Sequence, residues 1–402
     1  MPVNELNNTP NASRLHITIF GKRNVGKSSL INAISNQDTA LVSDIAGTTT
    51  DPVYRPIELH PIGPCVLIDT AGFDDEGVLG EMRVQKTSEI LNKTDIAVLV
   101  TTLNQSEYSY EIKWLKKLTE KKIPILLVVN KMDIDSFKEK DSDKLPLELK
   151  SLQIVYVSAK NSYNIDSLKE KLTALAPNDF ELDSITNHLI KSGDHVLLVA
   201  PQDIQAPKGR LILPQVQTIR DLLDNKALVT VVTTDNLQEA LSRFKNPPEL
   251  IITDSQVFSA VSKLCPKETK LTSFSVLMAR YKGDIDEFVR GAAAIDMLNK
   301  SSHVLILEAC THNPLDGDIG RIKIPNMLRK RFGDEIKLTW KSGNDVPKDM
   351  TPYDLVIHCG GCMLNRKNVL SRIESCKTNK VPVTNYGVFI AHMMGILEEV
   401  VY

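Results

Sequence analysis

The chain has 402 residues, 42 % of them apolar and 24 % charged, with a formal net charge of −2. At roughly 100–200 residues per domain, this is about two to four globular domains, which excludes a disordered, collagen-like or disulfide-scaffold protein. The near-neutral balance gives no basic footprint for nucleic acid, and no apolar run reaches the ~18 residues of a membrane-spanning helix.

In chain order, the polar start Met1–Arg14 has neither a signal-peptide pattern nor the Arg content of a transit peptide. A cytoplasmic chain with reduced thiols is therefore expected, away from membranes. Leu15–Phe20 alternates like a strand, and Ser29–Ile34 follows at helical spacing. Further strands are expected at Val66–Asp69, Ile96–Thr101, Ile125–Asn130 and Ile154–Ser158, and a helix at Ile165–Leu175. Strand–helix alternation with apolar strands predicts a parallel sheet covered on both faces. Ala176-Pro177-Asn178-Asp179 breaks the last helix, which places a first domain at 1–177.

A small α/β segment, 178–269, follows. Its expected strands are His195–Ala200, Leu228–Thr233 and Leu250–Thr253, with helices near Val216–Leu223, Leu237–Phe244 and Gln256–Leu264. It carries no catalytic constellation and reads as a folding or association module. The third segment, 270–402, predicts helices at Ser275–Tyr281 and Ile285–Leu298. Strands are expected at His303–Glu308, Leu355–His358 and Pro382–Asn385, and a closing helix at Val388–Val400. The fold class is thus α/β in three domains.

Gly21-Lys22-Arg23-Asn24-Val25-Gly26-Lys27-Ser28 matches G-x-x-x-x-G-K-[ST], after a strand and opening a helix. Such a loop wraps phosphate with backbone N–H groups at a helix N-terminus, here Gly21, Asn24, Val25, Gly26 and on into Ser29. Lys27 would reach the β- and γ-phosphates and Ser28 would bind Mg²⁺. Asp69-Thr70-Ala71-Gly72 ends a strand. Its carboxylate can hold Mg²⁺ through water, and the Gly72 amide can sense a γ-phosphate. Asn130-Lys131-Met132-Asp133 follows another strand. There Asp133 accepts guanine N1–H and N2–H₂, a donor pair that adenine lacks. Backbone of Ser158-Ala159-Lys160 can contact guanine O6. In this order the elements specify GTP/GDP. In Gly47-Thr48-Thr49-Thr50-Asp51, Thr48 and Thr49 follow the G-T-T pattern of translation-factor-like GTPases, with Thr49 as a second Mg²⁺ ligand.

Six cysteines are present: Cys65, Cys265, Cys310, Cys359, Cys362 and Cys376. Cys310-Thr311-His312 and His358-Cys359-Gly360-Gly361-Cys362 both follow predicted parallel strands, at the ends where α/β sheets build sites. These residues suit Zn²⁺ as Cys₃His or a [4Fe–4S] cluster with three thiolates, and residue chemistry leaves both open. Buried unligated thiols are the plainer alternative. Cys65, Cys265, Cys376 and His392 stand apart and read as core or surface. Arg329-Lys330-Arg331 reads as a solvated helix end.

By these motifs, residues 15–175 resemble a small GTPase domain of the TrmE/Era type, although Thr50 stands where that family has Arg. Phe73 follows Gly72, so no Gln orients the attacking water. In TrmE-like relatives a K⁺ ion assists hydrolysis. Asn24 matches its P-loop ligand, and Ser43 and Ile45 lie where the loop before G-T-T contributes. The whole arrangement, with C-x-H and H-C-x-x-C, resembles the [FeFe]-hydrogenase maturation GTPase family, HydF. Gly193–Pro201 and Asn385–Leu397 are further echoes. The resemblance implies a GTPase domain, a dimerisation domain and an iron–sulfur domain. It implies a [4Fe–4S] cluster on Cys310, Cys359 and Cys362, with His312, His358, Asp316 or Asp318 as fourth ligand, or a histidine supporting from behind. It implies a scaffold that assembles the diiron precursor of the hydrogenase active site and delivers it to apo-[FeFe]-hydrogenase. HydE and HydG are the implied maturase partners, and a homodimer the implied state, with no membrane or nucleic-acid partner. Two other readings compete: a ribosome- or RNA-assembly GTPase with a structural zinc, and a redox enzyme using Cys359–Cys362 as a dithiol.

Overall fold

In a computed structural model, residues 9–35, 52–70, 89–134, 143–177, 184–201, 211–309, 319–343 and 345–402 are described. They divide into two compact units, Met1–Leu182 and Asp183–Tyr402.

The first unit is built on a six-stranded sheet in the order β2-β3-β1-β4-β5-β6. The strands are β1 (Leu15–Phe20), β2 (Val53–Leu59), β3 (Gly63–Asp69), β4 (Ile96–Thr101), β5 (Ile125–Val129) and β6 (Gln153–Tyr156). β1 and β4 are buried at every position, as expected for strands covered on both faces. Alternate residues supply two separate cores. Leu15, Ile17, Ile19, Val98 and Val100 pack with Leu30, Ile34, Leu168 and Leu172 of helices Lys27–Ser35 and Ile165–Ala174. Phe20, Ala97 and Leu99 pack on the other face with Trp114 and Leu118 of helix Ser109–Glu120. The sheet is not wholly parallel. β2 runs antiparallel to β3 as an edge strand. Its largely exposed face and Pro56 hid it from the sequence pattern.

The second unit contains two four-stranded parallel sheets. One has the order β10-β9-β7-β8, from β7 (His195–Val199), β8 (Leu228–Val232), β9 (Leu250–Thr253) and β10 (Lys270–Ser273). The other has the order β12-β11-β13-β14, from β11 (His303–Glu308), β12 (Lys337–Ser342), β13 (Leu355–His358) and β14 (Val383–Asn385). The division expected at 269/270 would cut the first of these sheets, because Lys270–Ser273 pairs along its length with Leu250–Thr253. The chain end returns to this strand, where Val401 N donates to Leu271 O. One apolar cluster runs through both sheets, from Leu197 to Val400. Helix Phe274–Lys282 joins them. Val276 and Ala279 belong to that cluster, while Leu277 and Met278 belong to a second one under β7 and β9.

Most predicted helices form, with shifted ends. The expected closing helix at Val388–Val400 is instead Tyr386–Met393 followed by a short 3₁₀ turn at Leu397–Glu399. Gly395, at φ +70°, lies between them, and that left-handed turn ends an α-helix. Among the described residues no helix is long and apolar enough to cross a membrane.

Candidate functional site

In the first unit, β1, β3 and β5 are parallel strands of one sheet, with β4 between β1 and β5, and the loops after them carry the nucleotide motifs. Between β1 and helix Lys27–Ser35 the backbone takes two left-handed positions, Asn24 (φ 63°) and Gly26 (φ +94°). Asn tolerates this conformation. At Gly26 a Cβ would lie 2.3 Å from Asn130 Nδ2, so only glycine lets the two loops meet. Lys27 is buried, and its Nζ donates to the carbonyls of Gly21 (2.6 Å) and Lys22 (3.0 Å). Its charge is thus held inside the curve of the loop.

Ser28 Oγ donates to Asp69 Oδ2 at 2.9 Å. Asp69 is buried, and its Oδ1 has no hydrogen-bond partner among the described residues. A buried carboxylate with one unmatched oxygen beside a hydroxyl is a hard-oxygen donor set that fits Mg²⁺, which binds through a carboxylate, water and phosphate. Ser29 and Lys160 are exposed.

Asn130 ties three loops together. Its Nδ2 donates to Val25 O (2.9 Å) and its Oδ1 accepts from Ala159 N (3.0 Å). Next to it Lys131 is left-handed (φ 67°), and Met132 N donates to Val157 O. Asp133 Oδ1 accepts from Ser158 Oγ at 2.7 Å. That hydrogen bond, more than the nearby lysines, holds the Asp133 carboxyl below its usual range, so the carboxylate stays ionised to accept a donor pair. Ser43, Thr48, Thr49 and Gly72 lie outside the described residues.

In the second unit, β11 and β13 are neighbours, and Cys359 N donates to Leu307 O at the end of β11. Cys359 Sγ accepts from Ala309 N at 3.0 Å and from Gly361 N at 3.5 Å. Ala309, the donor, ends the described residues there and precedes Cys310 in the sequence. Gly361 is left-handed (φ +63°), which turns the chain back between Cys359 and Cys362. Burial pushes the Cys359 thiol up to about 11, against the pull of the two N–H groups, and raises Cys362 also.

His358 is buried. Its Nδ1 lies 2.6 Å from the carbonyl of Cys359, and its Nε2 lies 3.3 Å from Arg372 Nη1. A carbonyl only accepts and a guanidinium only donates, so the ring is neutral with its proton on Nδ1. Burial, then Arg372, pushes its pKa down to about 3. With both nitrogens engaged, His358 suits a supporting role behind Cys359 and not the fourth-ligand role. Arg372, itself buried, also donates to Asn368 Oδ1 and Gly343 O. Cys310, His312, Asp316 and Asp318 lie outside the described residues.

Three residues here escaped sequence reasoning. Lys282 is buried, and its Nζ reaches three carbonyls of the Cys359–Leu364 turn. Arg372 backs His358. Asn385, paired with His358 across β13 and β14, holds Gly387 N and Ser275 Oγ on its Oδ1, while its buried Nδ2 has no partner among the described residues. A lysine at a helix end and an arginine within a polar helix give no signal by themselves. Only the fold brings them to the turn. Among the described residues no group of three metal-ligating side chains assembles. The two thiols, with N–H donors on one sulfur and buried cations behind them, fit a soft-metal or iron–sulfur group.

Comparison with known proteins gives three family matches: the 50S ribosome-binding GTPase model at 16–131, the Hydrogen maturase F dimerization domain at 185–283, and the Hydrogen maturase F tetramerization domain at 286–402. Among curated relatives, the GTPase Der of Wolinella succinogenes is 35 % identical over 184 residues, 44 % of this chain and 38 % of its own length. The tRNA modification GTPase MnmE of Finegoldia magna is 31 % identical over 182 residues, 45 % of this chain and 38 % of its own. The chain thus spans about two fifths of the length of these relatives. A solved structure of Aquifex aeolicus Era bound to GDP and aluminium fluoride is 18 % identical, covering 57 % of this chain and 98 % of that one, with a TM-score of 0.36.

Proposed function

The chain belongs to the hydrogen maturase F family, and from that premise we propose that it is a GTP-hydrolysing scaffold for hydrogenase maturation. The GTPase domain binds GTP/GDP with Mg²⁺. The second unit holds a [4Fe–4S] cluster through Cys310, Cys359 and Cys362. The protein would serve as the scaffold for the diiron precursor, its cargo, and hand it to apo-[FeFe]-hydrogenase, with HydE and HydG as the maturases that serve it. The protein acts as a homo-oligomer. The single observation that carries the cluster reading is Cys359 Sγ, which takes two backbone N–H bonds at the end of one strand while Ala309, its donor, leads into Cys310.

At the nucleotide site the chain's own groups divide the work. Backbone N–H groups and Lys27 neutralise phosphate charge. Ser28 and Asp69 would hold Mg²⁺, which would offset phosphate charge. Asp133 selects guanine. Thr48, Thr49 and Gly72 respond to the γ-phosphate, and Asn24, with the loop of Ser43 and Ile45, would hold K⁺. Turnover faster in K⁺ than in Na⁺ at equal ionic strength is the expected outcome, and equal rates would contradict the Asn24 assignment. At the thiol site, Cys310, Cys359 and Cys362 would hold the cluster, which would supply iron chemistry with a position left for a non-cysteine ligand. His358 holds the Cys359 carbonyl, and His312, Asp316 and Asp318 are the candidates for the fourth position.

Metal and sulfide analysis with EPR on anaerobically purified protein tests this reading. About four irons and four sulfides per chain, with an S = 1/2 signal on reduction, support it. One zinc per chain without iron uptake on reconstitution would overturn it in favour of a zinc-stapled RNA-assembly GTPase.

A further inference from the structure

Helix Phe274–Lys282 ends the dimerization segment, and its last residue reaches into the tetramerization segment. Lys282 is only 2 % exposed. Its Nζ donates to Leu364 O (2.8 Å), Cys362 O (3.0 Å) and Gly361 O (3.4 Å). Three ammonium donors therefore meet three carbonyls of one turn. The contact is returned from the other side. Arg366 Nη1 donates to Tyr281 O (2.8 Å) and Gly283 O (3.5 Å), at the end of the same helix.

Lysine is almost never fully buried without a paired charge, and a neutral side chain of similar volume packs at lower cost. Here the acceptors are neutral carbonyls, and the groups of opposite potential charge nearby are the thiols of Cys362 and Cys359. A cation retained at this position makes physical sense when those sulfurs carry negative charge, which is their state as cluster ligands.

We propose that Lys282 is a positioning residue for the cluster: its ammonium fixes the Cys359–Leu364 turn in its ligating shape and offsets the charge of the ligated sulfurs. The middle module thereby supplies part of the support for a cluster bound by its neighbour. The inference rests on the cluster reading above.

Lys282→Met removes the charge and the donors at similar length. The full-length variant and wild type are reconstituted anaerobically with iron and sulfide, with fold checked by circular dichroism and elution volume. The variant is expected to lose iron to a ferrous chelator about 10- to 100-fold faster than wild type, and its midpoint potential should fall because a neighbouring positive charge is gone. A folded variant with wild-type release and potential overturns the proposal. If Lys282→Met does not fold, Lys282→Gln removes the charge while keeping an amide donor, and wild-type iron release and midpoint potential there overturn it equally. Wild-type protein that takes up no iron would overturn the cluster reading itself and this inference with it, a failure seen without any variant.

Discussion

The nucleotide site and the thiol site sit at the same structural address, the carboxyl ends of parallel strands, yet they are held in different ways. At the first, the contacts that shape the loops come from other loops of the same motif set: Gly26 against Asn130, Asn130 to Val25 and Ala159, Asp133 to Ser158. At the second, the thiol turn is held by residues that belong to no motif. Lys282 reaches it from 79 to 82 residues away in sequence, and Arg372 reaches it through His358. A site held by its own motifs is vulnerable within them, and a site held from outside is vulnerable at a distance.

The largest expected effect lies at Gly26. In Gly26→Ala the new methyl meets Asn130 Nδ2 at 2.3 Å on a left-handed backbone. The loop must open, and GTP binding measured by isothermal titration should fall below detection, while iron uptake by the second unit is retained. Retained nucleotide affinity would break the idea that the motifs lock one another.

Arg372→Met should act from a distance on the other site. It leaves buried His358 Nε2 and Gly343 O without their donor. Leaving the buried His358 nitrogen unsatisfied costs about 1–3 kcal/mol. Denaturant unfolding should show a loss of that order confined to the second unit's transition, with GTP affinity unchanged. A variant as stable as wild type would mean that His358 needs no partner.

The smallest effect concerns Ser158. Its hydroxyl is the largest cause of the lowered Asp133 pKa. A carboxylate with a depressed pKa keeps its charge down to lower pH, so guanine binding should persist in mild acid and weaken as pH falls through that pKa. In Ser158→Ala the fall in GTP affinity should begin at higher pH, with a loss of about 1 kcal/mol near neutrality from the missing hydrogen bond. Superimposable pH profiles for the two chains would sever the link between Ser158 and base recognition.

The same contrast explains how much could be read in the sequence. The strand–loop–helix around Gly21–Ser28 and the strands before Asp69 and Asn130 were legible because their signals are local: apolar alternation followed at once by Gly, Asn and Lys. The edge strands β2 and β12 were not, because half-exposed strands carry charged residues, as in Lys337-Leu338-Thr339-Trp340-Lys341-Ser342, and show no clean period. β10 was not read as a strand, and the division at 269/270 fell just before it, because its partner, β9, defines it and its own four residues do not. Both thiols of the C-x-x-C were legible by spacing. Lys282 and Arg372 were not, since on a helix wheel each reads as a solvated end or face, and only packing turns them inward.

The most direct test of the account is one preparation measured twice. Full-length Cys359→Ser, purified without oxygen beside wild type, is assayed for iron and sulfide with EPR and for GTP turnover in K⁺. The account predicts a wild-type chain with about four irons and four sulfides, and a variant that lacks the cluster and its signal while still hydrolysing GTP. A variant that keeps a full cluster, or a wild-type chain that holds zinc and takes up no iron, would contradict it.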